Sequence, residues 1–126
     1  MKTWTRDELN RFGAAEEIEV TPLGRHGTLR KAVTIWIVRL GDDLYVRSAY
    51  GRGSAWFRAA RAHYEGRISS KGLEKDVTFL DADTNLNDEI DAAYRGKYRR
   101  NGAQYGNMMV SPEARSATIK LVARPT

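Results

Sequence analysis

The sequence has no cysteine, and it has only two histidines among its 126 residues. Without cysteine the chain can form no disulfide, no thiolate metal site and no thiol nucleophile. Two histidines without cysteine also make a poor zinc site, so no metal is expected. No Ser-His-Asp arrangement and no carboxylate dyad is evident among the other residues. A cysteine-free chain fits a reducing cytoplasm but does not require one.

Long apolar runs are missing as well. No run approaches the roughly 20 residues that span a bilayer, and the N-terminal segment MKTWTRDELNRF lacks the apolar core of a signal peptide. We therefore expect a soluble, cytoplasmic protein with no membrane contact. A chain of this length with 41% apolar residues can bury a core, which predicts a single domain over residues 1–126.

The overall charge is mildly basic. Lys plus Arg total 21 and Asp plus Glu total 16, which gives a formal net charge of +5. Such a balance suits binding of nucleic acid, of an anionic surface or of an anionic small molecule, but it also simply keeps a protein soluble. The local distribution of arginine is therefore more informative than the total charge.

The most informative stretch is 33–62, whose pattern predicts a β-hairpin, a glycine-rich loop and a helix. The first strand, about 28–39, is apolar on both faces in its second half. A strand of this kind lies between two layers, so we expect a helix or a second subunit outside it. The turn at 41–43 leads into a return strand at 44–50, and the helix is predicted at 54–63.

The rest of the chain adds shorter signals. Thr5 begins a capping box ahead of a short helix. Residues 85–100 form the strongest helical pattern, with an apolar residue at every fourth position from Leu86 to Tyr98. The bases near its end, including Lys97, match the helix dipole. About six strands, two or three helices and glycine-rich turns predict a mainly β, α+β fold: a six-stranded antiparallel barrel with flanking helices.

Four arginines and no acid lie between residues 45 and 64: Arg47, Arg52, Arg58 and Arg61. Arg47 lies inside a strand among apolar neighbours. That position fits a structural role, either at a sheet edge or with a snorkelling stem, or else an anion site at the strand end. The sequence leaves both interpretations open.

The loop at 50–56 leaves this strand and begins the next helix. Glycines allow the backbone to approach a ligand closely, and a helix that begins at Ser54 presents free amides to an anion. Arginines add charge-assisted contacts to phosphate. The loop matches neither the P-loop nor the dinucleotide-binding motif. Its composition predicts a site for a phosphate-bearing planar ligand, with a solvated turn and a basic helix as the alternative.

Three segments carry a family resemblance: VTIWIVRLGDDLYVRSAYGRGSAWFRAA, DEIDAAYRGKY and MVSPEAR. They resemble one of the uncharacterised bacterial domain-of-unknown-function families (DUF2255) over nearly the whole chain. More distantly, the succession of apolar strand, turn, strand ending in Ser or Thr, basic loop and helix is similar to the flavin-binding split β-barrels. That superfamily includes pyridoxamine-phosphate oxidases and deazaflavin-dependent nitroreductases. This resemblance makes the predicted barrel a six-stranded antiparallel split β-barrel.

The second resemblance implies a homodimer with FMN or a deazaflavin at the subunit interface. Ser48 matches the hydroxyl at the strand end, and Arg52 with Ser54 matches the basic loop. Thr34 and Trp36 match the strand beside the isoalloxazine ring. This sequence departs from the oxidases in lacking their lysine after the loop. The predicted cofactor-binding set comprises Thr34, Trp36, Arg47, Ser48, Arg52, Gly53, Ser54 and Trp56.

Three functions remain open on the sequence. The first is an FMN- or deazaflavin-dependent oxidoreductase of nitroreductase type, in which the cofactor performs the hydride chemistry. The second is a non-catalytic dimeric module that binds an anionic small molecule through the same arginines. Nucleic-acid binding ranks last, because the arginines are confined to one segment and no recognition motif is present. No catalytic residue is assigned, and Tyr50, Tyr94 and Tyr105 are candidates for proton donation or stacking.

Overall fold

The computed structural model describes residues 4–24, 28, 31–99 and 107–124. The α-helices with bounds in these ranges are α1 (Arg6–Ala14), α2 (Ala55–His63), α3 (Asn87–Tyr98) and α4 (Pro112–Ser116). The described strands are β1 (Ile18–Pro22), β2 (Val33–Ile35), β3 (Ile37–Leu40), β4 (Asp43–Arg47), β5 (Glu65–Ser70), β6 (Leu73–Asp81) and β7 (Thr118–Ala123). None of the described helices is long and apolar enough to cross a membrane.

The seven described strands form one sheet in the order β2-β1-β5-β6-β7-β4-β3, with antiparallel pairing throughout. The two edge strands, β2 and β3, follow each other in the chain and are separated by Trp36 alone. Because consecutive segments of one chain form both edges, the edges must come together. The sheet therefore curls into a nearly closed barrel, which confirms the predicted α+β barrel.

The strand count differs from the sequence prediction, which was about six. The predicted strand 28–39 is the cause, since the structure divides it into β2 and β3 at Trp36. Its residues 29–30 lie outside the described ranges. The alternation of faces continues across the break, because Ile35 and Ile37 face the barrel interior while Trp36 packs outside. A continuous apolar pattern therefore concealed a change of pairing partner.

Apolar side chains from every described strand, and from α1 and α2, fill the barrel interior. Leu44 and Val46 of β4 pair with Leu121 and Ile119 of β7, and all four side chains are fully buried. Phe12 of α1 is buried in the same cluster. Removal of such side chains from water stabilises a fold by about 25 cal/mol per Å² of apolar surface.

A second apolar cluster lies outside the barrel, where α3 packs on β3 and β4. Its buried members are Val38, Tyr45, Ile90, Tyr94, Tyr98 and Met109. The four-residue repeat from Leu86 to Tyr98 forms the inner face of α3, as predicted. The sequence left a helix or a second subunit as the body outside the two-faced strand. That body is α3.

Helix ends test the local predictions. The Thr5 hydroxyl accepts from the Glu8 amide, and the Glu8 carboxylate accepts from the Thr5 amide, so the capping box is confirmed. Ser54 does occupy the N-cap position of α2, but its side chain makes no capping bond. The Ser54 hydroxyl has a different partner, and that difference matters for the site described below.

Gly66 tests the tightness of the barrel wall. A Cβ atom at this position would lie 2.6 Å from the Thr21 carbonyl oxygen and 2.7 Å from the Phe79 ring. Gly66→Ala is therefore expected to lower the free energy of unfolding by about 3 kcal/mol. Gly96→Ala is the control, because a Cβ there meets nothing within 4 Å. Alanine also has a higher helix propensity than glycine at this position within α3. Chemical denaturation should show the two changes with opposite signs, and a neutral Gly66→Ala would contradict the packing.

Candidate functional site

A cavity of about 330 Å³ opens where β2 passes into β3 and where β4 passes towards α2. Six members of the predicted cofactor-binding set line it: Thr34, Trp36, Arg47, Ser48, Ser54 and Trp56. The remaining lining residues are Val33, Ile35, Ala49, Tyr50, Met108 and Met109. The structure therefore brings residues of the first hairpin together with Met108 and Met109, which lie just before α4.

Arg47 forms part of this wall, but its guanidinium is directed at the protein. The side chain is 1% exposed, and β4 lies between β3 and β7, so the edge and snorkelling interpretation is wrong. The five hydrogen bonds of the guanidinium go to the Thr118 hydroxyl, the Asp91 carboxylate, the Met109 carbonyl oxygen, and the carbonyl and side-chain oxygens of Asn87. An arginine has five N–H donors in all. Arg47 thus joins β4, β7, α3 and the Met109 segment, while its predicted contact with a bound ligand stays a prediction.

Two hydroxyl groups meet at the end of β4. The Ser48 and Ser54 oxygens lie 2.7 Å apart, and the Ser48 side chain is almost fully buried. Gly51, between them, has a φ of +85° and lies against Glu113, which is why a glycine is needed there. Because Ser54 bonds to Ser48, no side chain caps the first amides of α2. A hydroxyl pair beside an uncapped helix start is suited to an anionic oxygen.

The loop arginine, Arg52, has its partners outside the cavity. Arg52 donates from Nη1 to the Ser116 carbonyl oxygen at 2.6 Å, and its guanidinium lies 5.2 Å from the centre of the Phe57 ring. Neither Arg52 nor Gly53 lines the cavity. These two members of the predicted cofactor-binding set therefore lie outside the cavity, and their contact with a bound ligand stays a prediction. Trp56 lines the cavity and Phe57 lines a different depression with Arg52, although both aromatic side chains are buried in the barrel core.

Helix α3 fixes the junction between the two edge strands. The Trp36 ring stacks on the Tyr98 ring, with centroids 4.2 Å apart and planes within 6° of parallel. Tyr94 donates its hydroxyl to the Trp36 carbonyl oxygen at 3.0 Å. The Tyr98 hydroxyl bonds to both backbone polar groups of Ile37. Lys97 donates to the Ile37 carbonyl oxygen at 2.6 Å.

Sequence reasoning gave these α3 residues a purely structural role. The bases at the end of α3 were assigned to the helix dipole, yet Lys97 binds the backbone beside the cavity. Asp91, for which no role was predicted from the sequence, is the buried partner of Arg47. The one available signal was an unexplained arginine in an apolar strand. A buried arginine needs a buried acid as its partner. Asp91, one turn after Asn87 and next to the apolar face of the predicted helix, was therefore a candidate.

Burial controls the titration of this region. It lowers the pKa of Lys97 to about 8, against an opposing effect of Glu16. Burial also raises the pKa of Tyr94 and of Tyr98, so both phenols stay protonated at neutral pH. Tyr94 is fully buried and Tyr50 is 81% exposed at the cavity mouth. Tyr105, the third candidate, lies outside the described residues.

The chain forms a nearly closed barrel with a helix packed outside it and a cavity at the junction of its edges, which is the architecture of a split β-barrel. The chain itself belongs to the family described as an uncharacterized protein conserved in bacteria (DUF2255), whose model matches residues 8–121. This confirms the family resemblance found in the sequence. No curated protein matches the chain.

Several solved structures share the fold. The heme storage protein HutZ from Vibrio cholerae aligns with a TM-score of 0.63 at 11% identity, over 96% of this chain and 91% of that one. A putative pyridoxamine 5'-phosphate oxidase from Listeria innocua aligns with a TM-score of 0.63 at 16% identity, over 93% and 90%. An F420 reductase aligns with a TM-score of 0.54 at 14% identity, over 94% and 92%.

Asp91 tests the ion pair behind the cavity. Asp91→Asn leaves the Arg47 charge buried without its carboxylate, so we expect the free energy of unfolding to fall by about 3 kcal/mol. Asp88→Asn is the matched control, because Asp88 pairs with Arg115 but its side chain is 93% exposed. That control should cost less than about 1 kcal/mol. Equal effects of the two substitutions in urea denaturation would refute a special role for Asp91.

The lowered pKa of Lys97 predicts how the free energy of unfolding depends on pH. The pKa of Lys97 is about 8 in the folded protein, against an ordinary value of 10.5 for a solvated lysine in the unfolded chain. Between these two pH values the unfolded chain therefore holds a proton that the folded chain has released. The free energy of unfolding of the native protein should therefore rise from pH 8 to pH 10 relative to that of Lys97→Met. Below pH 8 the difference between the two should be constant. Parallel stability curves across pH 7–10 would contradict the burial of this ammonium group.

Proposed function

We propose that the chain is an FMN- or deazaflavin-dependent oxidoreductase of nitroreductase type. The observation that carries the proposal is the cavity at the barrel junction, which combines aromatic walls, thioether groups and a pair of hydroxyls. Ligand pockets span about 300–1,000 Å³. A cavity of about 330 Å³ suits a tricyclic ring and leaves the remainder of a nucleotide at the mouth.

The residues present fit the ring of such a cofactor. Trp36 and Trp56 give the cavity a flat apolar lining, and Met108 and Met109 add flexible, polarizable side chains that adapt to a planar ligand. Trp36 is held in place from behind by the Tyr98 ring, so this wall exists before a ligand arrives. A preformed wall reduces the cost of ordering side chains on binding.

The phosphate group would lie at the opposite end of the cavity, at the Ser48 and Ser54 hydroxyls and the first amides of α2. These donors are close together and no side chain caps the helix. Arg47 holds the adjoining wall rather than serving as a free charge. Helix amides and hydroxyls would therefore provide the phosphate contacts in place of a lysine.

The cofactor would supply the hydride chemistry, and the protein would supply its binding and orientation. Within the described lining there is no histidine, lysine or carboxylate side chain. The described lining therefore offers cavity walls and hydrogen-bond donors, and no strong general acid or base. Relatives of similar shape include a putative pyridoxamine 5'-phosphate oxidase and an F420 reductase, which supports a flavin-type ligand.

A homodimer in the cytoplasm is part of this proposal. Tyr50 and Met108, at the cavity mouth, are 81% and 40% exposed. A second copy placed over the mouth would cover these apolar groups and enclose the bound ring. Sedimentation of the purified chain at micromolar concentration tests this part separately.

A non-catalytic module for a small anionic molecule is the second candidate function. The described lining has no acid or base, and a module that only binds its ligand needs none. An oxidoreductase whose cofactor performs the chemistry fits the same lining. Turnover decides between the two. Reduction of a nitroaromatic or quinone by the protein with reduced FMN or reduced deazaflavin would support the oxidoreductase, and binding without turnover would support the module.

The two serines provide the variant test. Ser48→Ala with Ser54→Ala removes both hydroxyls, so FMN affinity should fall by about 10- to 100-fold, because a hydrogen bond to a charged group contributes roughly 1.5–3 kcal/mol. Affinity for riboflavin, which has no phosphate, should change little. Calorimetric titration measures both.

The matched control is Ser69→Ala with Ser70→Ala, since these serines lie at the end of β5 in another cleft and do not line the cavity. Their loss should leave FMN affinity unchanged. Equal losses for FMN and riboflavin in the Ser48 and Ser54 variant would place the phosphate elsewhere. Failure of the native protein to bind FMN and deazaflavin alike would overturn the proposed function.

A further inference from the structure

The outer side of α2 carries a shallow depression that is separate from the cavity. We call it the arginine depression, and its lining residues are Arg52, Phe57, Arg58, Arg61 and Ala62. Its volume is about 330 Å³. The cavity takes Trp56 from the same helix, while the depression takes the neighbouring Phe57. The three arginines that do not reach the cavity therefore meet here.

Arg52 is held in position without losing its charge. Its Nη1 donates to the Ser116 carbonyl oxygen at 2.6 Å, and its guanidinium lies over the Phe57 ring at 5.2 Å. None of the described acids forms an ion pair with Arg52. One carbonyl bond and one ring contact leave most of its five N–H groups for another acceptor. The group is thus ordered in advance and still able to bind an anion.

The other two arginines differ in their partners. Arg58 is exposed and, among the described residues, has no acid within ion-pair distance. Arg61 pairs with Asp81 at 2.7 Å, and its Nε is buried without a hydrogen-bond partner in the described structure. The Asp81 carboxylate therefore neutralises one guanidinium of the three. The depression retains two uncompensated positive charges.

Two uncompensated guanidinium groups in one small depression repel each other, and a bound anion relieves that repulsion. Arginine binds phosphate oxygens with paired N–H donors, whereas a single carboxylate occupies only part of such a cluster. The small extent of the cluster argues against nucleic acid as its ligand. Nucleic-acid surfaces carry a stripe of cations that follows many phosphates, while this cluster occupies one depression beside an acidic residue, Asp81.

We propose that the arginine depression binds the phosphate or diphosphate group of a small molecule. The site is distinct from the cavity and does not depend on the proposed cofactor. Arg52 and Arg58 supply the charge-assisted contacts, Arg61 supports them from its pair with Asp81, and Phe57 forms the floor.

The test uses the full chain, pyrophosphate as the probe, and Arg58→Gln as the variant. Arg58 is exposed and makes no described ion pair, so its loss should leave the fold intact. We expect pyrophosphate affinity to fall at least tenfold, measured by calorimetry at low salt and confirmed by thermal shift. Arg95→Gln is the control, because Arg95 is an exposed arginine on α3 and its replacement makes the same change in net charge. Pyrophosphate affinity should be unchanged in that control.

Other outcomes overturn the proposal. Equal weakening by Arg58→Gln and Arg95→Gln would show a diffuse charge effect rather than a site. No pyrophosphate binding by the native protein at millimolar concentration would also reject it. A single-stranded oligonucleotide that binds with steep salt dependence and displaces pyrophosphate would assign the depression to nucleic acid instead. The alanine variant of Ser48 and Ser54 should keep its pyrophosphate affinity, which separates this test from that of the cofactor.

Discussion

The fold depends on one constraint: the same short stretch of chain forms both edges of the sheet. β2 pairs with β1 at one edge and β3 pairs with β4 at the other, and only Trp36 separates them. A flat sheet cannot satisfy this, so the sheet must curl until its edges adjoin. Closure of this kind removes the exposed strand edges that promote aggregation. It also leaves a break in the ladder, and the cavity lies beside that break.

The break creates a requirement that α3 meets. Backbone polar groups at the junction leave the regular ladder, and unpaired polar groups in a buried position are costly. Tyr94, Lys97 and Tyr98 bond to the Trp36 carbonyl oxygen and to Ile37. Nearer the start of the helix, Asp91 neutralises Arg47. The helix therefore acts as a polar clamp on the junction as well as an apolar cover, and both functions position the cavity wall.

Much of the fold was present in the sequence because local patterns determine it. The capping box at Thr5, the four-residue repeat of α3 and the two-faced strand were all visible as periodic signals. The division of that strand at Trp36 was not visible, since a change of pairing partner does not disturb the alternation of faces. Tertiary pairing alone decides it.

The candidate site was predictable in part. Spacing placed Ser48, Ser54 and Trp56 near one another, because a strand end, a short turn and a helix start must be close in space. The direction of each arginine was not predictable. Whether Arg47 turns towards α3, or Arg52 towards Ser116, depends on partners 44 and 64 positions away in the sequence. One arginine segment thus divides into a structural ion pair and a separate surface cluster.

A crystal structure of the chain with bound FMN tests the central claim most directly. The account predicts the isoalloxazine ring in the cavity, against Trp36 and Met109, with the phosphate group at the Ser48 and Ser54 hydroxyls. Electron density for FMN at another surface, with the cavity filled only by ordered water, would contradict it.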